Sequence, residues 1–206
     1  MIGTTSRKRL SAAERRAGIV EASVDLFSQK GFRGATTRQL ASAVGVSEPV
    51  LYQHFATKRA LYEAILEMQS AELPVRLEQE LEGLIRSGDS RAFFTMLARH
   101  ILDWYCNDPR YARLLVYSAL EEHELSDLFY ERHVAVFYGW VTRHLKRQMR
   151  RGKLKKADPL VAARSFAGMI AHQGMIYAIY RPGDLAGTRE QVVKTVVDIF
   201  LDGLSI

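Results

Sequence analysis

The chain has 206 residues, of which 48% are hydrophobic and 25% are charged, an ordinary balance for a globular protein with a substantial core. Its polar, basic N-terminus is followed by no apolar run long enough for a signal peptide or a membrane span, so we expect a cytoplasmic protein without a membrane partner. Cys106 is the only cysteine, which excludes an intramolecular disulfide and a cysteine-based zinc cluster and fits a reducing compartment.

The net charge of +6 is concentrated in the first third of the chain. Residues 1–65 carry ten Lys or Arg against five Asp or Glu, whereas residues 66–206 carry 19 against 18. Such an asymmetry is typical of a segment that binds nucleic acid, although a solvated basic surface would look the same.

The first helix is predicted to begin at Ser11, which pairs with Glu14 in a capping box, and to end at Gly31. Residues 1–10 precede it and include three consecutive basic side chains at positions 7–9. They are predicted to form a basic arm, which either reaches DNA or is a plain disordered terminus.

Two short helices follow. Thr36 and the Gln39 three residues later predict a helix that ends at Gly45, because glycine adopts the left-handed backbone of a tight turn without strain. Ser47 is predicted to cap the next helix, and Pro49 is tolerated in its first turn. Together with the first helix, they predict a three-helix helix-turn-helix domain over residues 11–56.

Residues 57–206 are predicted to form a larger helical body. Thr57 caps a fourth helix, which Pro74 kinks or ends. The same start and stop signals predict helices over 90–104, from Asp108, and over 126–151, 158–180 and 188–204. Strand-like alternation is absent, so the expected fold class is all-α with about nine helices.

The residues between positions 36 and 58 suit a nucleic-acid reader. Leu40 and Val44 lie on one helix face and can pack on Leu51, while Ala41 is small where the two helices cross. If the Ser47 helix is the reader, its N-terminus points into the major groove. A generic pair of packed helices would show the same apolar pattern, so the polar residues carry the functional interpretation.

The stretch "GFRGATTRQLASAVGVSEPVLYQHFATKRALYEAI", residues 31–65, resembles the N-terminal domain of the TetR family of bacterial transcriptional regulators. The shared elements are Gly31-Phe32, the Thr36 cap, Gly45-Val46-Ser47, Leu51-Tyr52, His54-Phe55, and Lys58 with Leu61. The resemblance covers about residues 11–66. It implies a homodimeric regulator, typically a repressor, that binds a palindromic double-stranded DNA operator and is released by a small-molecule effector.

The resemblance also implies a role for individual positions. It assigns phosphate contacts to Thr37, Tyr52, His54 and Lys58 and base contacts to Arg38, Glu48, Pro49 and Val50. Thr36 and Ser47 complete the candidate DNA-binding set. Arg38 has the geometry to pair with guanine, and Glu48 can accept a hydrogen bond from cytosine. An acid at the first turn also stabilises the helix dipole, so two interpretations of Glu48 stay open.

The body is predicted to hold the effector and the dimer contacts. The candidate effector pocket comprises Phe93, His100, Trp104, Tyr117, Phe137, Tyr138, Trp140, His172 and Gln173, although each aromatic residue also fits an ordinary core. The candidate dimer interface comprises Ala167, Ala171, Gly174, Met175, Val193, Val197, Phe200 and Leu204. The basic run over residues 143–156 could touch DNA or be a solvated helix end.

No enzyme is expected, because the sequence has no phosphate-binding glycine loop, nucleophile elbow or His-Glu-x-x-His motif. The six histidines are scattered, so no metal site and no cofactor are expected either. The alternative to a DNA-binding regulator is a small-molecule-binding helical protein whose head reads no specific DNA. Activation instead of repression also stays open.

Overall fold

The structure is a computed structural model that describes residues 11–70, 75–122 and 124–205. The predicted arm at residues 1–10 and the predicted helix break at Pro74 lie outside the described residues. Within them every regular element is helical, which confirms the all-α fold class. No described helix is both long and apolar enough to cross a membrane.

Eleven α-helical segments and two π-helical turns make up the described part of the chain. The segments are α1 Ala12–Gly34, α2 Thr37–Val44, α3 Glu48–His54, α4 Lys58–Ser70, α5 Val75–Ser87, α6 Ser90–Asn107, α7 Pro109–Leu120, α8 Glu124–Phe129, α9 Ala135–Arg150, α10 Pro159–Met175 and α11 Arg189–Leu204. The π turn Tyr130–Val134 joins α8 and α9 into one continuous rod, and the π turn Ile176–Tyr180 extends α10.

Most of the predicted helix starts are found. Capping boxes are present at Ser11, Thr36 and Thr188, where each side-chain oxygen accepts a backbone N–H and the residue three positions later returns the bond. One expectation was wrong in detail, because Ser47 occupies the cap position of α3 without a side-chain capping bond. The helix predicted from residue 90 begins there, and Asp89 caps it through the N–H of Ala92 at 2.9 Å.

Gly31 interrupts α1 where the sequence predicted its end. Its φ of 69° lies in the region that favours glycine, and helical hydrogen bonding resumes beyond it as far as Gly34. A Cβ at this position would lie 2.5 Å from the carboxylate of Glu121. Glycine is therefore required here both by the backbone and by the close approach of α7.

Buried side chains form two hydrophobic clusters. The head cluster joins α1–α4, with Phe27, Leu40, Leu51 and Tyr62 at its centre, and the body cluster joins α5, α6 and α9–α11. The head cluster also contains α7 side chains, including Leu114. The head is consequently packed on α7 by the same apolar surface that holds its own helices together.

A buried polar pair lies on α9 inside the body. The ring of His144 stacks on Phe93 with centroids 4.3 Å apart, and its Nε2 shares a 2.9 Å hydrogen bond with the Ser90 hydroxyl. Among the described residues, neither Nδ1 of His144 nor the side-chain amide of Gln148 has a hydrogen-bond partner. Burial, aided by the charge of Arg147, lowers the pKa of His144 to about 4.

Acid should destabilise the fold through His144. Its pKa is about 4 in the folded chain, against about 6.5 in an unfolded chain. Protons therefore bind the unfolded chain more tightly, and stability that is present above about pH 6.5 is lost as the pH falls towards 4. We expect roughly 1–3 kcal/mol of this loss to come from His144.

Urea denaturation from about pH 7 to about pH 4.5 measures the effect. His144→Phe should reduce the dependence of the unfolding free energy on pH, leaving a remainder from His100 and His133, whose pKa values are also lowered. His54→Gln is the control, because this imidazole lies in the head and outside the body core. An unchanged pH dependence in His144→Phe would contradict the prediction.

Candidate functional site

A tight turn joins α2 to α3. Gly45 has a φ of 72° and its N–H donates to the carbonyls of Ala41 and Ser42, while the N–H of Val46 donates to Ala41 at 3.0 Å. Leu40, Ala41 and Leu51 are buried between the helices. This is the helix-turn-helix geometry that the sequence predicted, and it fixes which face of α3 turns outward.

The outward face of this unit carries most of the candidate DNA-binding side chains. Thr36, Arg38, Ser47 and Pro49 are exposed, and 45% of Tyr52 is accessible. Thr37, Glu48, Val50, His54 and Lys58 are half-buried. Arg38 and Tyr52 are thus free to reach a partner surface, whereas Thr36 already caps α2 through the N–H of Gln39.

Glu48 has a partner that the sequence did not reveal. Its carboxylate accepts a hydrogen bond from the Thr37 hydroxyl at 3.0 Å, linking the first turns of α2 and α3. Two residues assigned to opposite tasks, a phosphate contact and a base contact, therefore hold each other in the absence of DNA. The carboxylate keeps further acceptor positions, so this bond leaves both interpretations of Glu48 untested.

Lys58 has a structural task besides the predicted phosphate contact. Its Nζ donates to the carbonyls of Phe32 at 2.7 Å and Ala35 at 2.9 Å, and lies 4.2 Å from the centre of the Phe32 ring. Burial lowers the pKa of Lys58, and the charge of Glu121 opposes this shift. One N–H of the ammonium group is left for a phosphate, which remains a prediction.

Glu121, at the C-terminal end of α7, holds the head from the other side. Its carboxylate accepts the backbone N–H groups of Phe32 at 2.9 Å and Arg33 at 3.1 Å. The Arg33 side chain donates to the Glu121 carbonyl, and the Tyr117 hydroxyl donates to the carbonyl of Gln29 at 3.1 Å. These bonds define the α1–α7 contact, which was not predicted from the sequence.

Arg110 adds an ionic part to the α1–α7 contact. From the first turn of α7, its guanidinium contacts Glu21 and Asp25 on α1 as well as Asp108. Hydrogen bonding to Asp108, with smaller effects from the two α1 acids, raises the pKa of Arg110. The network is partly exposed, so we assign it a role in fixing the orientation of the two helices rather than in stability.

A half-open cavity of about 610 Å³ lies in the body, between α6, α7, the α8–α9 rod and α10. Its size is that of a site for a drug-sized molecule. The wall is mainly apolar, and aliphatic side chains form as much of it as rings do. Its aromatic residues are Trp104, Tyr105, Phe129, Tyr130, Phe137, Tyr138 and Trp140, and its polar groups are His100, His133, Ser126 and Asp127. Burial lowers the pKa of both histidines and raises those of Tyr105 and Tyr138, so these side chains favour their uncharged forms.

Five of the nine predicted pocket residues line this cavity: His100, Trp104, Phe137, Tyr138 and Trp140. The other four lie outside its wall. Phe93 belongs to the body core, Tyr117 belongs to the α1–α7 contact, and neither His172 nor Gln173 reaches the wall. The sequence reasoning missed Tyr130 and His133, which enter the wall from the π turn between α8 and α9.

The predicted dimer residues lie mostly within the protomer. Val193, Val197 and Phe200 are buried in the body core and Leu204 packs against it, so these α11 side chains contribute to the core of the protomer, and the dimer interface itself stays a prediction. Ala167, Ala171 and Met175 line the cavity, and the Tyr105 ring packs on Gly174. The small residues of α10 therefore allow close packing inside one protomer.

A three-helix head with a helix-turn-helix, packed on an all-helical body that encloses a cavity, defines a DNA-binding regulator of the two-part helical class. Residues 19–65 match the family described as bacterial regulatory proteins, tetR family, and residues 94–203 match the AefR-like transcriptional repressor C-terminal domain. The second match alone spans more than half of the chain. The chain belongs to the TetR family.

Individual relatives agree with this assignment. The chain is 27% identical over 177 residues, 82% of its length and 81% of the relative's, to the nucleoid occlusion factor SlmA of Actinobacillus pleuropneumoniae. It is 46% identical over 54 residues, 26% of the chain and 25% of the relative, to the class A tetracycline repressor of Escherichia coli from transposon 1721.

A solved structure shows the same fold over nearly the whole chain. AibR in complex with isovaleryl coenzyme A and operator DNA superposes with a TM-score of 0.67 at 20% sequence identity. The match covers 90% of this chain and 97% of AibR. At this identity the likeness concerns the fold alone.

Removing the Glu121 carboxylate should loosen the head. Glu121→Ala leaves the N–H groups of Phe32 and Arg33 without their acceptor, and we expect a loss of about 1–3 kcal/mol in the unfolding free energy. Hydrogen–deuterium exchange should become faster at these two amides. The control is Glu122→Gln, which changes the exposed neighbouring acid; equal effects of the two substitutions would contradict the assigned role.

Proposed function

We propose that the protein is a dimeric, sequence-specific DNA-binding regulator that a small molecule releases from a palindromic operator. The observation that carries this proposal is the position of α7, which lines the cavity on one side and holds the head on the other. The occupants of the AibR complex, isovaleryl coenzyme A and operator DNA, support a joint DNA-binding and ligand-binding role for this fold.

DNA recognition is assigned to the outward face of the helix-turn-helix. We propose that Arg38, with Pro49 and Val50, reads base edges in the major groove, because an exposed arginine can donate two bonds to guanine and the apolar side chains fit thymine methyl groups. Tyr52 and His54 contact phosphates, whose recognition positions the head without reading sequence. Selection of bound sites from random duplex DNA tests this function, and a two-fold symmetric motif is the expected result.

Loss of a base contact and loss of a phosphate contact should have different effects on DNA affinity. Arg38→Ala should weaken binding to the selected site by about 1–3 kcal/mol and should weaken binding to random DNA much less. Tyr52→Phe should weaken binding to both DNAs by the same amount, about 0.5–1.5 kcal/mol for the loss of one hydrogen bond. Fluorescence anisotropy at fixed salt measures both, with exposed Lys30→Ala as the control. An equal loss on both DNAs for Arg38→Ala would contradict base reading.

The route from cavity to head runs through α7. Ala112, Leu115 and Val116 line the cavity, and Glu121 holds the head roughly one to three turns further along, at the C-terminal end of the same helix. A ligand that displaces α7 consequently changes the orientation of α1 and of the reading helix in each protomer. In a dimer on a two-fold operator, a change in the separation of the two reading helices lowers affinity for both half-sites together.

The proposed dimer interface lies on the outer faces of α10 and α11. Val161, Ser165, Gly168 and His172 are exposed on one stripe of α10, and 63% of the Val161 side chain is accessible. On α11, 59% of Ile199 is accessible. These side chains replace the buried set that the sequence suggested, and Gly168 would let two α10 helices approach closely.

A charge at the centre of this face should dissociate the dimer. Ile199→Glu places a carboxylate in a desolvated contact, so we expect the dimer dissociation constant to rise at least about tenfold. Sedimentation velocity over a concentration series measures it. Val136→Glu on α9, which is also exposed, is the matched control. A wild-type monomer, or an unchanged constant in Ile199→Glu, would contradict the interface.

The same DNA selection decides the competing function. A protein that binds small molecules without specific DNA readout would recover no symmetric motif. We also propose that the protein acts in the cytoplasm and catalyses no reaction, as the named regulators that it resembles suggest. Whether it represses or activates depends on where the operator lies relative to the promoter.

A further inference from the structure

The charges around the cavity restrict what it can hold. Among the described residues that line it, none is Lys or Arg, and the one acid, Asp127, is exposed. A charged group brought inside would lose its hydration without meeting an opposite charge. The interior is therefore built for an uncharged molecule.

The charges just outside the wall do not favour one sign. The guanidinium of Arg164 lies 5.8 Å from the centre of the Tyr138 ring and donates to the Tyr130 hydroxyl at 3.5 Å. Asp127 contributes the opposite charge at the rim. An aromatic wall would otherwise attract a cation, and Arg164 already occupies the side of the wall formed by these two tyrosines.

The wall itself presents a series of rings. Tyr105, Trp104, Phe129 and His133 follow one another in contact, with ring centroids 4.8 Å, 5.6 Å and 4.9 Å apart. These rings are tilted to one another by 88°, 38° and 38°, so an aromatic ligand can meet some of them face to face and others edge to face. His100, His133 and Tyr105 supply hydrogen-bonding groups that stay uncharged, and an imidazole can donate or accept.

We propose that the cavity takes an uncharged aromatic molecule of two or three rings that bears a hydroxyl or carbonyl group. The proposal rests on the proposed function, in which the cavity holds the effector. The ring system lies along the aromatic wall, and its polar group is bonded at the imidazoles of His100 and His133. Carboxylates, sulfonates and ammonium ions of the same ring system are excluded because the interior gives them no counter-charge.

Matched probes test the ligand class on the wild-type full chain. N-phenyl-1-naphthylamine is uncharged and fluoresces in apolar surroundings, whereas 1-anilinonaphthalene-8-sulfonate adds a sulfonate to the same rings. We expect saturable binding of the first and at least about tenfold weaker binding of the second. Equal or tighter binding of the sulfonate would overturn the proposal.

A displacement series tests both signs of charge. 2-Naphthol, 2-naphthoate and 2-naphthylmethylammonium share one ring system, and each is titrated against bound N-phenyl-1-naphthylamine. Naphthol should displace the probe at a concentration at least about tenfold lower than either ion. Displacement by naphthoate or the ammonium ion at the same or a lower concentration would overturn the proposal in favour of an anionic or a cationic ligand.

A cavity-filling variant locates the probe. Ala171→Phe projects a ring into the space and should weaken probe binding at least about fivefold, whereas Ala17→Phe on the exposed face of α1 should not. Unchanged binding in a folded Ala171→Phe would overturn the cavity as the site, and the displacement series stands even if that variant does not fold. Naphthol that binds while selected operator DNA stays bound would overturn DNA release and still support the ligand class.

Discussion

The packing of α1 on α7 is the contact on which the two-part architecture depends. Phe27 and Tyr62 pack edge to face with ring centroids 4.8 Å apart, and the Tyr62 hydroxyl donates to the carbonyl of Leu114 at 3.2 Å. Side chains of α7 thus complete the core of the head cluster. A head of this size buries little apolar surface by itself, so a shared core gives it stability and a fixed orientation at once.

The segment between α1 and α2 is held from two sides through its backbone. Lys58 donates hydrogen bonds to the carbonyls of Phe32 and Ala35, while Glu121 accepts hydrogen bonds from the N–H groups of Phe32 and Arg33. The two charges also compensate each other across the segment. Because the bonds are made to backbone atoms, the position of the reading unit relative to α7 depends little on which side chains the segment carries.

Local signals in the sequence predicted the head well, because the groups involved are neighbours along the chain. The capping boxes of α1, α2 and α11 and the left-handed Gly45 need only four or five residues to form, and they are present. The boundary predicted at residue 56 separates α3 from α4, yet Tyr62 of α4 belongs to the head cluster. Helix starts are local, whereas core membership is decided by distant partners.

The cavity and the dimer face were predicted less well for the same reason. An amphipathic helix shows which face is apolar but not what covers it. Gly174 illustrates the difficulty: a Cβ there would lie 2.4 Å from the ring of Tyr105, so its smallness serves a contact inside the protomer. His133 was missed because it lies within the π turn, where side chains depart from the α-helical spacing on which the pocket prediction was based.

That π turn also affects how this protein is compared with its relatives. A π turn accommodates one residue more than an α-helical turn, and the backbone N–H of Ala135 accordingly donates to the carbonyl of Tyr130 five residues earlier. Because the turn absorbs this extra residue, loss of a single residue there would restore a regular α-helix and leave the outward and inward faces of α8 and α9 where they are. Phe129 would keep its place beside Trp104, whereas the side chains of the turn itself, among them Tyr130 and His133, would be redistributed at the cavity wall. A one-residue gap in this helix therefore marks a local change in the wall and not a displacement of the whole rod.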